Sequence, residues 1–432
     1  MDSTTIIIPR YLSVTEYLAE GQGNTLDHSV FLRVTQIINQ VREDGDSALF
    51  RLTRELDGVK RPQLNVTSEE WASVKGIPSD VFDLLRRAGD NIRRFHTEEK
   101  KGIANWILRE GEGYVGQRVS PIGRAGLYVP GGTAAYASSV LMNAIPAQVA
   151  GVDEIVIVSP PDRKTERISP LVLAAAEILG IREIYALGGA QAVAALAYGT
   201  ESIRRVDKIT GPGNQWVTEA KRQVFGQTGI DSLAGPSEIV IVADESADPG
   251  CLAADLLSQA EHDTQARAVL ISWKNDILDK TEKELERQVS MLPRQTMASQ
   301  ALRNGALIRV ADSKEALAAV NAIAPEHLEL QVSDAEAILP RVIAGAVFIG
   351  PFTPEPVGDY WAGCNHILPT RGTARFASAL SVRDFLRWMS VMRYDRETLD
   401  RDREAIARLA RLEGLEAHAR AVEARFPDFQ TE

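Results

Sequence analysis

The side chains best suited to chemistry fall in a few short segments, and the richest runs from Ala234 to Asp263. It joins a small-residue turn (Ala234, Gly235, Pro236, Ser237), an apolar strand from Ile239 to Val242, and a helix expected to end in Gln259-Ala260-Glu261-His262. Residues three apart on a helix share a face, so Gln259 and His262 can present an oxygen and a nitrogen to one point. Taken alone, such a pair reads more readily as a capped helix end with a solvated histidine, and it is the rest of the chain that reverses this. A second constellation, Ala324-Pro325-Glu326-His327-Leu328-Glu329, sets a carboxylate beside an imidazole. In an irregular segment both can point into one cleft, where histidine titrates near neutral pH and a desolvated glutamate can be raised toward it, as general acid–base work requires. A helix N-terminus with an acidic first turn after proline is the plainer alternative.

Further along, Gly358-Asp359-Tyr360 and Gly363-Cys364-Asn365-His366 lie in a Gly/Pro-rich stretch beginning at Pro351, read here as a loop ordered by Phe352, Tyr360 and Trp361. Asp359 offers a hard oxygen ligand, whereas His366 is assigned to holding the loop. Glu413 and His418 flank Gly414. On a straight helix, residues five apart diverge by about 140°, so convergence on one ligand needs the break that glycine provides. Gly131-Gly132-Thr133, Gly188-Gly189-Ala190-Gln191 and Gly211-Pro212-Gly213-Asn214 sit at expected strand-to-helix turns, where backbone can approach a pyrophosphate or simply turn tightly. None is GxGxxG. His28 and His96 stand in polar helical contexts and receive no role.

These residues need elements to hold them. Before residue 120 the pattern is mostly helical: Val30, Val34, Ile37, Ile38 and Val41 recur at helical spacing, as do Phe82, Leu85, Ala88, Ile92 and Phe95. From Pro121 short apolar runs alternate with helical patterns, first Glu154 to Val158 and Glu183 to Leu187, then Glu238 to Val242, Ala268 to Trp273, Ala306 to Val310 and Ala346 to Gly350. That alternation predicts an α/β protein with two tandem units of parallel sheet, divided near Ala234-Gly235-Pro236. The tail from Thr398 is charged and helical, split at Gly414, and buries little surface alone, so it is expected to pack on another domain or subunit.

Composition narrows the function classes. The chain has 432 residues, enough for two or three cores, and lacks any run of about 18 apolar residues that could span a bilayer. Its N-terminus, MDSTTIIIPRYLS, matches neither a signal nor a transit peptide. Cys251 and Cys364 are too few for a disulfide framework, which fits a reducing cytoplasm. The net charge of −11 argues against a nucleic-acid partner.

Taken together, the motifs resemble the histidinol dehydrogenase family over nearly the whole chain. The resemblance is strongest at residues 126–152 (GLYVPGGTAAYASSVLMNAIPAQVAGV), 210–226 (TGPGNQWVTEAKRQVFG), 234–263, 324–330 (APEHLEL), 358–370 (GDYWAGCNHILPT) and 413–422 (EGLEAHARAV). It implies oxidation of L-histidinol to L-histidine in two NAD-dependent steps through a bound aldehyde, by a cytoplasmic homodimer with one zinc ion per site. The implied metal ligands are Gln259, His262, Asp359 and His418. His327 would take the alcohol proton, Glu326 would activate water for hydration of the aldehyde, and His327 would assist the second hydride transfer. Ser237, Glu413 and His418 match further substrate contacts, and Tyr128, Gln191 and Asn214 match the NAD contacts.

The implied architecture is an N-terminal arm (1–25), an α/β domain from 26–120 and 238–380 carrying the metal and catalytic residues, an incomplete Rossmann-like NAD domain (121–237), and a helical tail (381–432) packing on the partner subunit. In that subunit Glu413 and His418 would act. Pro356 departs from a usually small residue, and Cys364 is read as a filler. A paralogous dehydrogenase acting on another small alcohol, such as a sulfonated diol, is the near alternative. A zinc hydrolase is the distant one, and the absence of HExxH counts against it.

Overall fold

A computed structural model describes residues 8–21, 28–131 and 136–426; Gly132 and Thr133, and residues 1–7 and 22–25 of the expected arm, lie outside the described residues. In chain order come β1 (Arg10–Leu12), α1 (Val14–Gly21), α2 (His28–Leu52), α3 (Ser68–Ser73), α4 (Ser79–Lys101), β2 (Trp106–Glu110), β3 (Gly113–Pro121) and β4 (Arg124–Tyr128). An alternation follows of α5 (Ala137–Ala150), β5 (Glu154–Ser159), α6 (Pro170–Ile178), β6 (Ile184–Ala186), α7 (Gly189–Tyr198), β7 (Lys208–Thr210), α8 (Gln215–Val224) and β8 (Gly229–Ile230). A second one comprises β9 (Glu238–Ala243), α9 (Pro249–Ala260), β10 (Arg267–Ser272), α10 (Asn275–Val289), α11 (Gln295–Leu302) and β11 (Ala306–Arg309). It continues through α12 (Ser313–Ile323), β12 (His327–Gln331), α13 (Ala335–Ile338), β13 (Ala346–Ile349) and α14 (Glu355–Tyr360). Last are β14 (Leu386–Arg393), α15 (Arg396–Leu412) and α16 (Glu416–Glu423).

The described residues fall into two units. The larger is drawn from Met1–Lys100 and Ile122–Phe385, the smaller from Lys101–Pro121 and Leu386–Glu432. Within the larger lie two parallel sheets, one ordered β6-β5-β4-β7-β8 and the other β1-β11-β10-β9-β12-β13. The expected mixed α/β class with tandem parallel sheets is therefore present. Strand composition explains it: the run EIVIVA of β9 is buried along its whole length, as a strand covered by helices on both faces must be. Its alternate residues serve two cores. Ile239 and Ile241 pack with Leu256 of α9, Leu278 of α10 and Leu302 of α11, while Val240 and Val242 pack with Tyr17, Ile308 and Val320 on the opposite face. The helical spacing read in Val30 to Val41 is likewise core: these residues lie buried with Leu49, Leu52, Val193 and Leu196 against the five-stranded sheet. Each such buried aliphatic side chain contributes roughly 1.5–3 kcal/mol.

The smaller unit differs from expectation. Residues 106–121, read with the helical first part, form the antiparallel pair β2–β3, and β14, read as part of a helical tail, pairs antiparallel with β3. Pairing of segments some 270 residues apart leaves no local signature, which is why periodicity missed it. The break in the tail was legible: Gly414 adopts φ +76° and separates α15 from α16. Among the described residues, no helix is long and apolar enough to cross a membrane.

Candidate active site

The central strands β9 and β12 run side by side, with His327 opposite Ile239, so their amino-terminal ends bring Ser237, Glu238, Glu326 and His327 together. The Glu238 backbone serves both members of the Glu–His pair. Its N–H donates to Glu326 Oε2 at 2.9 Å, and its carbonyl lies 3.1 Å from His327 Nδ1. A carbonyl can only accept, so Nδ1 carries the proton and Nε2 keeps the lone pair. That Nε2 is buried and has no hydrogen-bond partner among the described residues. Burial, reinforced by the nearby His262 and His366, lowers the His327 pKa to about 3, so the ring is neutral at physiological pH. Glu326 is pushed the other way. Burial first, then the charges of Glu238, Asp359 and Glu355, hold its carboxyl well above the usual range against the Glu238 N–H bond. The segment is thus the start of a buried strand, not the helix N-terminus of the plainer reading.

Across from this pair, α9 ends at Ala260 and His262 stands in the turn that follows, its N–H donating to the Gln259 carbonyl at 3.3 Å. The helix therefore ends two residues before the expected His262. Neither amide atom of the wholly buried Gln259 side chain has a partner among the described residues. Residues 355–360, expected as loop, form the short α14, because Pro354 starts a helix and Pro356 falls in its first turn, where no N–H is missed. Asp359 is one turn beyond Glu355, and both face His262: the ligand atoms of His262, Glu355 and Asp359 all lie within 4.8 Å of one another. Burial, then the Asp359 charge, raises Glu355 to about 8, and burial raises Asp359 to about 6. His366 fits the structural role: its Nδ1 bonds to the Asp359 carbonyl at 3.2 Å, and burial lowers its pKa to about 4. Buried carboxyls, the His262 imidazole and an amide without partners make a donor set that a cation satisfies. The carbonyl end of α9 favours the same sign.

The NAD-matched residues lie on the five-stranded sheet. Strand β4 pairs with β5 on one side and with β7 on the other, so chain order reverses between β4 and β7, the place where open parallel sheets take ligands. Tyr128 ends β4 there, buried, its hydroxyl accepting from the Gly189 N–H at 3.1 Å. Asn214 caps α8 just beyond β7, its Oδ1 accepting from the N–H groups of Trp216 and Val217. Gln191, on the first turn of α7, donates to Asp57 Oδ2 at 3.1 Å; its Oε1 is buried with no partner among the described residues. Burial raises the Asp57 carboxyl to about 6.

Glu413 and His418 are exposed on the tail of the smaller unit. Cys364 is half-buried. His96 is a buried core histidine bonded to Glu99 at 2.8 Å. Sequence reasoning missed Glu355, although its spacing from Asp359 was a usable signal, since carboxylates four apart share a helix face. It also missed Glu329, fully buried beneath the site, which accepts the Glu355 N–H at 2.9 Å.

Comparison with known proteins adds an independent line. The family model described as histidinol dehydrogenase matches residues 22–426. The chain is 52% identical over 395 residues to histidinol dehydrogenase of Geobacillus kaustophilus, covering 91% of this chain and 93% of that protein. To the Bacillus subtilis enzyme it is 49% identical over 396 residues, covering 91% and 92%. The crystal structure of histidinol dehydrogenase from Elizabethkingia anophelis superimposes with a TM-score of 0.90 at 34% identity, over 98% of each chain.

Proposed function

This chain belongs to the histidinol dehydrogenase family, and we propose that it oxidises L-histidinol through bound L-histidinal to L-histidine, a zinc-dependent, four-electron reaction coupled to two NAD. Membership makes it an oxidoreductase of histidine biosynthesis. The observation that carries the finer reading is His327 Nε2, a buried, neutral nitrogen whose lone pair is fixed by the Glu238 carbonyl and which faces the His262–Glu355–Asp359 cluster.

Gln259, His262 and Asp359, with His418, are the residues that would hold the zinc ion. Their fit rests on the partnerless Gln259 amide and on carboxyls that burial has made hard to ionise. When bound, the ion orients the amine and imidazole of the substrate, and NAD accepts the hydride. His327 Nε2 removes the alcohol proton, its imidazolium stabilised by the Glu238 carbonyl on Nδ1. In the second half, once His327 has released the first proton to solvent, Glu326 takes a proton from the water that hydrates the aldehyde, and His327 receives the hydroxyl proton of the hydrate. Glu326 must be ionised for this, and positive charge among the neighbouring carboxylates lowers its pKa in that direction. Holding the aldehyde in a buried pocket keeps a reactive amino aldehyde from other nucleophiles. Ser237, one residue before β9, is assigned to substrate contact. Tyr128, Gln191 and Asn214 are assigned to NAD.

The working form is proposed to be a cytoplasmic homodimer in which Glu413 and His418 complete the partner's site. The exposed apolar side chains of the smaller unit support this, among them Ile107, Leu108, Trp388 and Met392, a concentration that marks an interaction surface. A net charge of −11 gives no footprint for nucleic acid.

NADH formation at 340 nm from L-histidinol, with zinc-loaded and chelator-stripped protein, tests the reading. Two NADH per histidinol are expected, lost on stripping and restored by zinc. Absence of turnover by folded, zinc-loaded protein overturns the choice of substrate.

A further inference from the structure

Building on the metal centre proposed above, we propose that Glu355 is itself a ligand of the cation in the substrate-free enzyme, so that one chain offers four donors, Gln259, His262, Glu355 and Asp359, before the tail is counted. Four observations converge on it. Glu355 is 2% exposed, its Oε1 meets no N–H or hydroxyl donor among the described residues, and its carboxyl is paired with that of Asp359, two acid groups that repel unless a proton or a cation lies between them. Oε2 is held only loosely, 3.5 Å from a Ser258 hydroxyl that donates to the Asp255 carbonyl at 2.8 Å. Oε1 is 3.9 Å from His327 Nε2, too far for a hydrogen bond, so the histidine does not account for its burial. Glu329 fixes the Glu355 backbone through the N–H at 2.9 Å, so the side chain leaves α14 from a pinned position.

The independent sign of a ligand is Gln259. Its amide is wholly buried, without a partner at either atom, and leaves α9 just before the His262 turn. An amide and a pair of carboxylates around an imidazole form a nitrogen-and-oxygen set suited to zinc. Two carboxylates also balance the charge of a divalent ion, which one carboxylate does not. The consequence is that the larger unit supplies four donors, to which His418 of the tail would add a fifth.

The test uses full-length Glu355→Gln, an isosteric change, with zinc affinity measured by chelator competition and the visible absorption of the cobalt-substituted enzyme recorded without substrate. The expected result is a fall in zinc affinity of tenfold or more together with an altered cobalt spectrum. Unchanged affinity and spectrum overturn the assignment. Lower affinity with an unchanged spectrum also overturns it, because Glu355 then acts through charge alone. If wild type binds no zinc, the metal centre itself fails, an outcome separate from these. Should the variant not fold, a crystal structure of zinc-loaded, substrate-free wild type decides: a Glu355 oxygen at about 2.0–2.2 Å from the ion is expected, and a water in its place overturns the proposal.

Discussion

His327 can serve as a base because its two nitrogens face different surroundings, Nδ1 a carbonyl and Nε2 a pocket of carboxyls and imidazole. His327→Asn is therefore expected to lower both oxidations by on the order of 10²–10⁴-fold with zinc content unchanged, read by NADH formation and metal analysis. Glu326→Gln should slow oxidation of the aldehyde far more than that of the alcohol, because only the second step needs water activated; equal losses in separate half-reaction assays sink that role. His262→Asn should lower bound zinc, and an unchanged stoichiometry removes it from the ligand set. The same burial has a consequence for stability. His366 has its folded pKa lowered to about 4, below the ~6.5 of an unfolded chain. A neutral buried histidine thus contributes stability above about pH 6.5 that is lost as pH falls toward 4. The raised carboxyls Glu326 and Glu355 act in the opposite sense, weakening the fold as pH rises above their unfolded values. Only a difference between proteins separates the two: between pH 6.5 and 4 the melting temperature of metal-free wild type should drop more steeply than that of His366→Asn.

At the level of elements, what the sequence revealed depended on whether a residue's role was local. The strands β5, β9, β10, β11 and β13 announced themselves as apolar runs between turn residues, and α2 as a 3.6-residue pattern, because each buries its own faces. Tyr128, Gln191 and Asn214 could be placed at turns for the same reason. The strands β2, β3 and β14 could not be read, since several of their apolar residues, such as Leu108 and Met392, remain exposed and their pairing joins distant segments. Glu355 was lost inside a proline-rich stretch that looks like loop until Pro354 and Pro356 are recognised as the opening of α14. The glycine turn after β7 is a case where element geometry can be tested. Gly211 has φ +114°, and a Cβ there would collide with the Tyr128 carbonyl oxygen. Gly211→Ala should therefore cost about 1–3 kcal/mol of local strain and move Tyr128 and Asn214 apart. A raised KM for NAD with little change in zinc content is the expected signature. An unchanged KM would separate this turn from the dinucleotide.

For the whole molecule the open issue is where the tail acts. Its helices carry charge on most faces, expose Leu409 and Leu412, and present Glu413 and His418 to solvent, which is poor economy for a segment serving only itself. If His418 completes the partner's centre, defects in the two units should complement. His262→Asn damages the larger unit and His418→Asn the tail, and each homodimer has both sites impaired. Dissociated and reassociated in equal amounts, the two variants give heterodimers in which one site combines an intact larger unit with an intact tail, while the other collects both defects. Random pairing makes about half of all dimers mixed, so about one quarter of wild-type activity should return. Recovery has to appear only after subunit exchange, since simple mixing of stable homodimers creates no new site. Activity that stays at the level of the separate variants after proven exchange would mean that each tail serves its own chain. The apolar surface of the smaller unit would then need another partner to explain it.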